Sequence, residues 1–362
     1  MKEKVGIGII GTGFARRVQI PAFLACANAC VVSVASGHVE NAESAAREFG
    51  IEHFTGDWRA TVENENVDLV CIATPPRTHF EMTSVAIAAG KHVLCEKPMA
   101  MSVAEALEMT ERAREKGALA LIDHELRFLH GRRKALAMLR SGMIGKVRHA
   151  KANFRAPHRG DTAAPWNWWS EKAAGGGALG AIGSHIIDSF NWFLETEIAQ
   201  VFCQLQTHIK ARKDAKTCEM RDVTTDDEAS LILRFADGDL TTDATGSVSI
   251  SMTEYPKYQN RMEFFGTKGA IRVEARGEVF LGKADAAGWT EIEVDLGKNV
   301  AGVPDTGFAR GFMNFAPAIV EAILSGKHAI EHAATFEDGV KVQKVLDAAH
   351  ESNEKGCLVK IS

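Results

Sequence analysis

Short apolar runs alternate with helix-patterned stretches through the first third of the chain. Residues 5–10, 31–35, 68–74, 92–95 and 118–123 are largely apolar and of strand length, the pattern of strands buried on both faces. Between them, residues 41–49 and 57–64 read as helices. Thr78 with Glu81, and Ser102 with Glu105, form capping boxes that open two further helices, which Gly90 and Gly117 end. Pro21 predicts a helix break near Gln19 and Ile20. This alternation predicts a doubly wound parallel sheet over residues 1–124.

The pattern changes over residues 125–362. Residues 131–140 read as a helix and 147–155 as a strand. Residues 156–174 form a loop holding Trp166, Trp168 and Trp169, and a helix is expected over 179–194. Period-2 alternation dominates residues 199–295, with turn signals at Asp237-Gly238 and Arg276-Gly277. An α+β domain with a large, mainly antiparallel open sheet follows, closed by helices at 308–324 and 336–352. Residues 210–221 are charged and read as a solvated loop, and the glycine-rich stretch 295–307 reads as a mobile loop near the substrate. A sheet with one face on its helix and one face open predicts a homodimer or homotetramer joined through that face.

Composition narrows the class. The chain has 362 residues, room for two cores, and a net charge of -5 without a basic block, so nucleic acid is not an expected partner. No apolar run reaches membrane-spanning length. Seven Cys lack any Cys-x-x-Cys pair or His/Cys cluster, which predicts free thiols in a reducing compartment and no metal site. Met1-Lys2-Glu3-Lys4 enters a strand at once, leaving no signal peptide. A cytoplasmic protein is the expectation.

The candidate chemistry sits at strand ends. The first strand runs into Gly11-Thr12-Gly13 and a helix start at Phe14-Ala15-Arg16-Arg17. Strand, glycine turn and helix are the context of a dinucleotide fingerprint. Gly11 permits the tight turn, and Gly13 lets backbone approach a pyrophosphate. Arg16 holds the place of the third small residue, and Ala15 takes over its packing. The second strand ends at Ser36-Gly37-His38, with no carboxylate to hold a ribose 2′-hydroxyl. Ser36, His38 and Arg16 or Arg17 could hold a 2′-phosphate, which favours NADP; Glu40 reaching back would favour NAD. The apolar run ending in Glu96-Lys97-Pro98 delivers Lys97 at the carboxyl end of a strand, where open parallel sheets bind ligands. A Lys there can polarise a hydroxyl or carbonyl oxygen.

These residues resemble the glucose–fructose oxidoreductase, inositol dehydrogenase and MocA family. The resemblance rests on Gly11-Thr12-Gly13, Ala73-Thr74-Pro75 with His79, Glu96-Lys97-Pro98, Gly175-Gly176-Gly177-Ala178-Leu179 leading to Gly183-Ser184-His185 and Asp188, and Gly266-Thr267-Lys268-Gly269. It implies NAD(P) bound by Gly11, Thr12, Gly13, Phe14, Ala15, Ser36, Thr74, Pro75, His79, Glu96 and Lys97. It also implies redox chemistry on a sugar, inositol or related polyol. Lys97 and His185 are then the catalytic pair, with Arg155, Trp168 and Asp188 as candidate substrate contacts. In the family an Asp precedes the His by four positions; here that position is Ala181. His185 alone, or His185 oriented by Asp188, is left to move the proton, as an imidazole can near neutral pH. The bland reading is a satisfied helix His. Likewise the tryptophans are either a sugar-stacking lid or domain packing. Ala181 keeps a second function class open, a catalytically weak nucleotide-binding regulator or sensor. A third is reduction of an unsaturated or aromatic-derived compound.

Overall fold

The computed structural model describes residues 3–297, 300 and 302–361. It divides into two compact units, Met1–Leu129 with Gly297–Val340, and His130–Leu296 with Lys341–Ser362. A single boundary at residue 124 was the sequence expectation, and the return of residues 297–340 departs from it. The reason is a helix, Gly307–Leu324, whose Phe312, Phe315 and Ile319 are fully buried. Phe312 meets Phe23 edge-on at 5.6 Å, and Phe315 stacks on Phe128 at 4.2 Å. Each such ring stabilises by roughly 2–3 kcal/mol on burial. Gly311 lets this helix approach closely, since a Cβ there would lie 2.4 Å from the Glu125 carbonyl oxygen.

In the first unit the strands β1 (Val5–Ile10), β2 (Ala29–Ala35), β3 (His53–Thr55), β4 (Leu69–Ile72), β5 (His92–Cys95) and β6 (Ala120–Ile122) are parallel, in the order 6-5-4-1-2-3. Ala334–Thr335 adds an antiparallel edge beside β6. The order reverses between β1 and β4, the switch point where such sheets bind ligands beyond the strands' carboxyl ends. Of the two capping boxes, Ser102 accepts from the Glu105 N–H at 3.3 Å, while the Glu105 carboxylate reaches the Met101 N–H at 2.9 Å. Thr78 does not cap. Pro76–Thr78 winds as a 3₁₀ turn, and the Thr78 hydroxyl donates to the Pro75 carbonyl at 2.8 Å.

The second unit holds a nine-stranded sheet. Its strands are β7 (Val147–Arg155), β8 (Ile198–Gln206), β11 (Glu228–Phe235), β12 (Thr241–Ser251), β13 (Gln259–Gly266), β14 (Gly269–Val273), β15 (Val279–Lys283) and β16 (Trp289–Ile292), with Val359–Lys360 pairing along β8. Pairing is antiparallel except between β7 and β12. Alternate residues of β11 are buried, and the inner face packs on the helix Ser184–Leu194. Phe190 meets Phe235 at 5.4 Å, and Phe193 meets Phe264 at 4.9 Å.

The charged stretch 210–221 is not a plain solvated loop. It forms the two-stranded sheet β9 (Ala211–Lys213) with β10 (Met220–Asp222). Arg212, 1% exposed, points its guanidinium at the carbonyl oxygens of Arg159, Asp161 and Ala164. A planar fork of donors gathers three loop carbonyls onto one buried side chain, so here a charged residue is a core peg. No helix among the described residues is long and apolar enough to cross a membrane.

Candidate active site

In the first unit, strand ends gather most of the expected cofactor residues. Gly11 has φ of 102°, and a Cβ on it would lie 2.3 Å from the Ala73 carbonyl oxygen. Only glycine fits this crossing of the β1 and β4 ends. Gly13 is exposed and a Cβ there would meet nothing within 4 Å, so its backbone faces open space. That is the access a pyrophosphate needs. Ala15 is fully buried against the sheet, the packing role expected of it, and Phe14 lies edge-on to Phe312 at 6.4 Å. Ala15–Gln19 is a π-helical turn that passes into α-helix at Ile20–Leu24, which is how the break before Pro21 is realised. Arg16 is committed to Glu48 and Ser44 on the helix Val39–Phe49, with its Nε 2.6 Å from Glu48 Oε2. At the end of β2, Ser36 Oγ accepts from the His38 N–H at 3.3 Å, and Gly37 and His38 are exposed.

Beyond β4, the Thr74 and Thr78 hydroxyls lie 2.7 Å apart, next to Pro75. His79 is fully buried, with Nε2 2.9 Å from the Thr74 carbonyl oxygen and Nδ1 3.0 Å from that of Pro98. It ties the β4 and β5 ends together, so any influence on a ligand runs through Thr74 and the Lys97-Pro98 turn. Burial lowers its pKa, and the Lys97 charge adds to that against the pull of its carbonyl partners.

Beyond β5, the Glu96 N–H donates to the Ile72 carbonyl at 2.9 Å and places Lys97 on the rim. Two residues absent from the sequence expectations complete this corner. Gln19 Nε2 donates to Asp123 Oδ2 at 2.7 Å and lies 3.3 Å from Glu96 Oε1. Burial, with Glu125 and Glu96 nearby, pushes the Asp123 carboxyl well above the usual range. Glu96 is also raised by burial, against the pull of Lys97. The signal for Gln19 was a polar residue inside an apolar helical face; for Asp123, a carboxylate closing the apolar run after the one that carries Lys97.

In the second unit, Gly176 and Gly177 answer to close packing. A Cβ at Gly176 would lie 2.3 Å from the Trp169 carbonyl oxygen, and one at Gly177, with φ of 111°, 2.3 Å from Asp226 Oδ1. Asp226 Oδ2 accepts from the Leu179 N–H at 2.7 Å and pins the π-helical turn Leu179–Gly183 that leads into Ser184–Leu194. Burial pushes its pKa up to about 6. His185, Asp188 and Ala181 are all buried on this continuous helical stretch. The Ser189 hydroxyl donates to the His185 carbonyl at 2.6 Å and accepts from Arg132 Nη1 at 2.6 Å. Arg155 is tied to the Ser249 carbonyl and hydroxyl and to Glu254. Trp168 is partly buried with its ring 6.0 Å from that of Trp169, and Arg159 lies over Trp169 at 5.3 Å.

Residues 5–124 match a family described as "Oxidoreductase family, NAD-binding Rossmann fold", and residues 132–272 match the "GFO/IDH/MocA C-terminal domain". The chain belongs to the Gfo/Idh/MocA family. Within this oxidoreductase family it is similar to levoglucosan dehydrogenase of Pseudarthrobacter phenanthrenivorans, 29% identical, with 98% of this chain and 97% of that protein aligned. The human glucose-fructose oxidoreductase domain-containing protein 2 is 27% identical over 98% of this chain and 93% of its own length. Among solved structures, a levoglucosan dehydrogenase complex with NADH and L-sorbose superposes with a TM-score of 0.88 at 27% identity, covering 99% of both chains. As a Gfo/Idh/MocA enzyme the chain has an NAD-binding Rossmann unit and a mainly antiparallel second unit, as the sequence led us to expect.

Proposed function

We propose that this enzyme transfers hydride between a nicotinamide dinucleotide and a hydroxyl-bearing carbon of a sugar, anhydrosugar or polyol. The observation that carries the reading is the meeting of Gly11-Thr12-Gly13, Thr74-Pro75 and Glu96-Lys97 at the carboxyl ends of β1, β4 and β5, across the switch point. The substrate class is supported by the full-length similarity to levoglucosan dehydrogenase. The dinucleotide supplies the hydride acceptor or donor. Gly13 and Thr12 hold its pyrophosphate through backbone N–H groups. In the oxidation direction Lys97 holds and polarises the substrate hydroxyl, and His185 accepts its proton. Asp188 and Trp168 contact the substrate.

NADP is slightly favoured over NAD in this reading. The absence of a carboxylate from Ser36-Gly37-His38 supports room for a 2′-phosphate, and NADP keeps its edge through Ser36 and His38. Arg16 contributes less because Glu48 offsets its charge. The exposed outer residues Phe202 and Ile232, paired across β8 and β11, support assembly through the open sheet face. The test is a screen of aldoses, anhydrosugars and inositols with each cofactor, following nicotinamide absorbance for the wild type and Lys97→Ala. Turnover by the variant within about tenfold of wild type refutes the role of Lys97. Tight cofactor binding without turnover on any substrate favours the regulator class instead.

A further inference from the structure

Buried Gln19 and Asp123 cluster with partly buried Glu96, with no part in the proton path just described. Gln19 is 1% exposed and Asp123 0%. A single carboxamide nitrogen serves both acids, at 2.7 Å from Asp123 and 3.3 Å from Glu96. The Asp123 N–H donates to the Cys95 carbonyl at 2.8 Å, which fixes Asp123 beside the last residue of β5. Asp123 Oδ1 and Gln19 Oε1 are buried acceptors with no donor among the described residues. Two carboxylates that share one donor, one of them fully out of water, cannot both ionise without strong repulsion. The groups facing the pair deepen that conflict. Glu125 follows β6, Cys71 lies on β4 and Cys95 on β5, and none of the three supplies positive charge; Lys97 does, and it faces Glu96.

We propose that Asp123 carries a proton at neutral pH and shares it with Glu96, and that Asp123 and Gln19 thereby act as positioning residues that keep an ionised Glu96 beside Lys97. With one proton on the pair, the charges of Glu96 and Lys97 balance and the Lys97 turn has one stable arrangement. Without it, a second negative charge competes for the ammonium and draws it inward. The role of Lys97 is that of the preceding section; the proton on Asp123 stands apart from it.

The experiment has two readouts. The first is infrared difference spectroscopy of the intact protein near pH 7, with no substrate present. A protonated carboxylic acid C=O stretch, shifted by deuterium exchange and lost in Asp123→Asn, is expected. Its absence from wild type, or its persistence unchanged in Asp123→Asn, overturns the proposal. The second is kinetic. Asp123→Asn imitates the protonated acid and should keep kcat within about 3-fold, whereas Asp123→Ala should lower kcat at least about 30-fold with KM little changed. Equal loss in both variants, with the melting temperature of Asp123→Asn unchanged, shows that the ionised form is the one required and overturns the proposal. A wild type that turns over no substrate refutes the dehydrogenase reading, while the infrared band still decides the proton.

Discussion

Asp226→Asn is expected to stabilise the protein, and by an amount that grows with pH. The Asp226 carboxyl accepts from Leu179 at the entry to the helix bearing His185. Burial raises its pKa from 3.8 to about 6, Asp227 adds to the rise, and the backbone N–H groups of Leu179 and Ala178 oppose it. Between those values the folded chain holds a proton that the unfolded chain has released. Stability from this group is therefore lost as pH rises from about 4 to about 6, and is level above that. A rise of about 2 units corresponds to up to about 3 kcal/mol. Asparagine cannot ionise, and its oxygen still accepts from Leu179. The melting temperature of the variant minus that of wild type should be small near pH 4.5 and reach a few degrees by pH 7, measured by scanning fluorimetry in buffers of equal ionic strength. A difference that is constant with pH, or that shrinks as pH rises, refutes the reasoning.

Other expectations separate folding from chemistry. Gly11→Ala meets the Ala73 carbonyl and a φ that disfavours a side chain, so it should cost several kcal/mol and lower expression. Gly13→Ala meets nothing among the described residues and should melt like wild type, yet weaken NADH and NADPH binding in a fluorescence titration at least about tenfold. Arg212→Met removes the guanidinium donors of the Arg159 and Ala164 carbonyls and one of two donors to the Asp161 carbonyl, and should destabilise by about 2–4 kcal/mol, read by chemical denaturation, with proteolysis first appearing in residues 156–174. His185→Asn should lower kcat about 100-fold; turnover within about tenfold of wild type would make His185 a satisfied helix residue.

The first unit was largely legible because its strands are buried on both faces, so apolar runs mark them directly, and Gly11 and Gly13 sit where a strand must turn. The second unit was legible as alternation. Three things were hidden. The segment 210–221 looks solvated because composition does not say whether a charged residue has satisfied partners, and Arg212 finds three carbonyls. The return of residues 297–340 to the first unit depends on Phe312 and Phe315 meeting Phe23 and Phe128, a pairing across the chain that periodicity does not encode. Gln19 and Asp123, far apart in sequence, become neighbours only when the π-helical turn after the glycine motif faces the end of β6. The stretch 295–307, expected to be a loop near the substrate, lies partly outside the described residues, at 298, 299 and 301.

The most direct test of the central claim is a comparison of wild type and Lys97→Ala with cofactor affinity and turnover measured separately. Nicotinamide fluorescence gives the affinity, and absorbance on the best sugar or polyol found in the screen gives the turnover. The expected result is a fall in kcat/KM of at least about 100-fold, well beyond the loss of dinucleotide affinity that removing a cofactor contact brings. A variant that still turns over within about tenfold contradicts it, because hydride transfer would then not need Lys97 on the substrate oxygen.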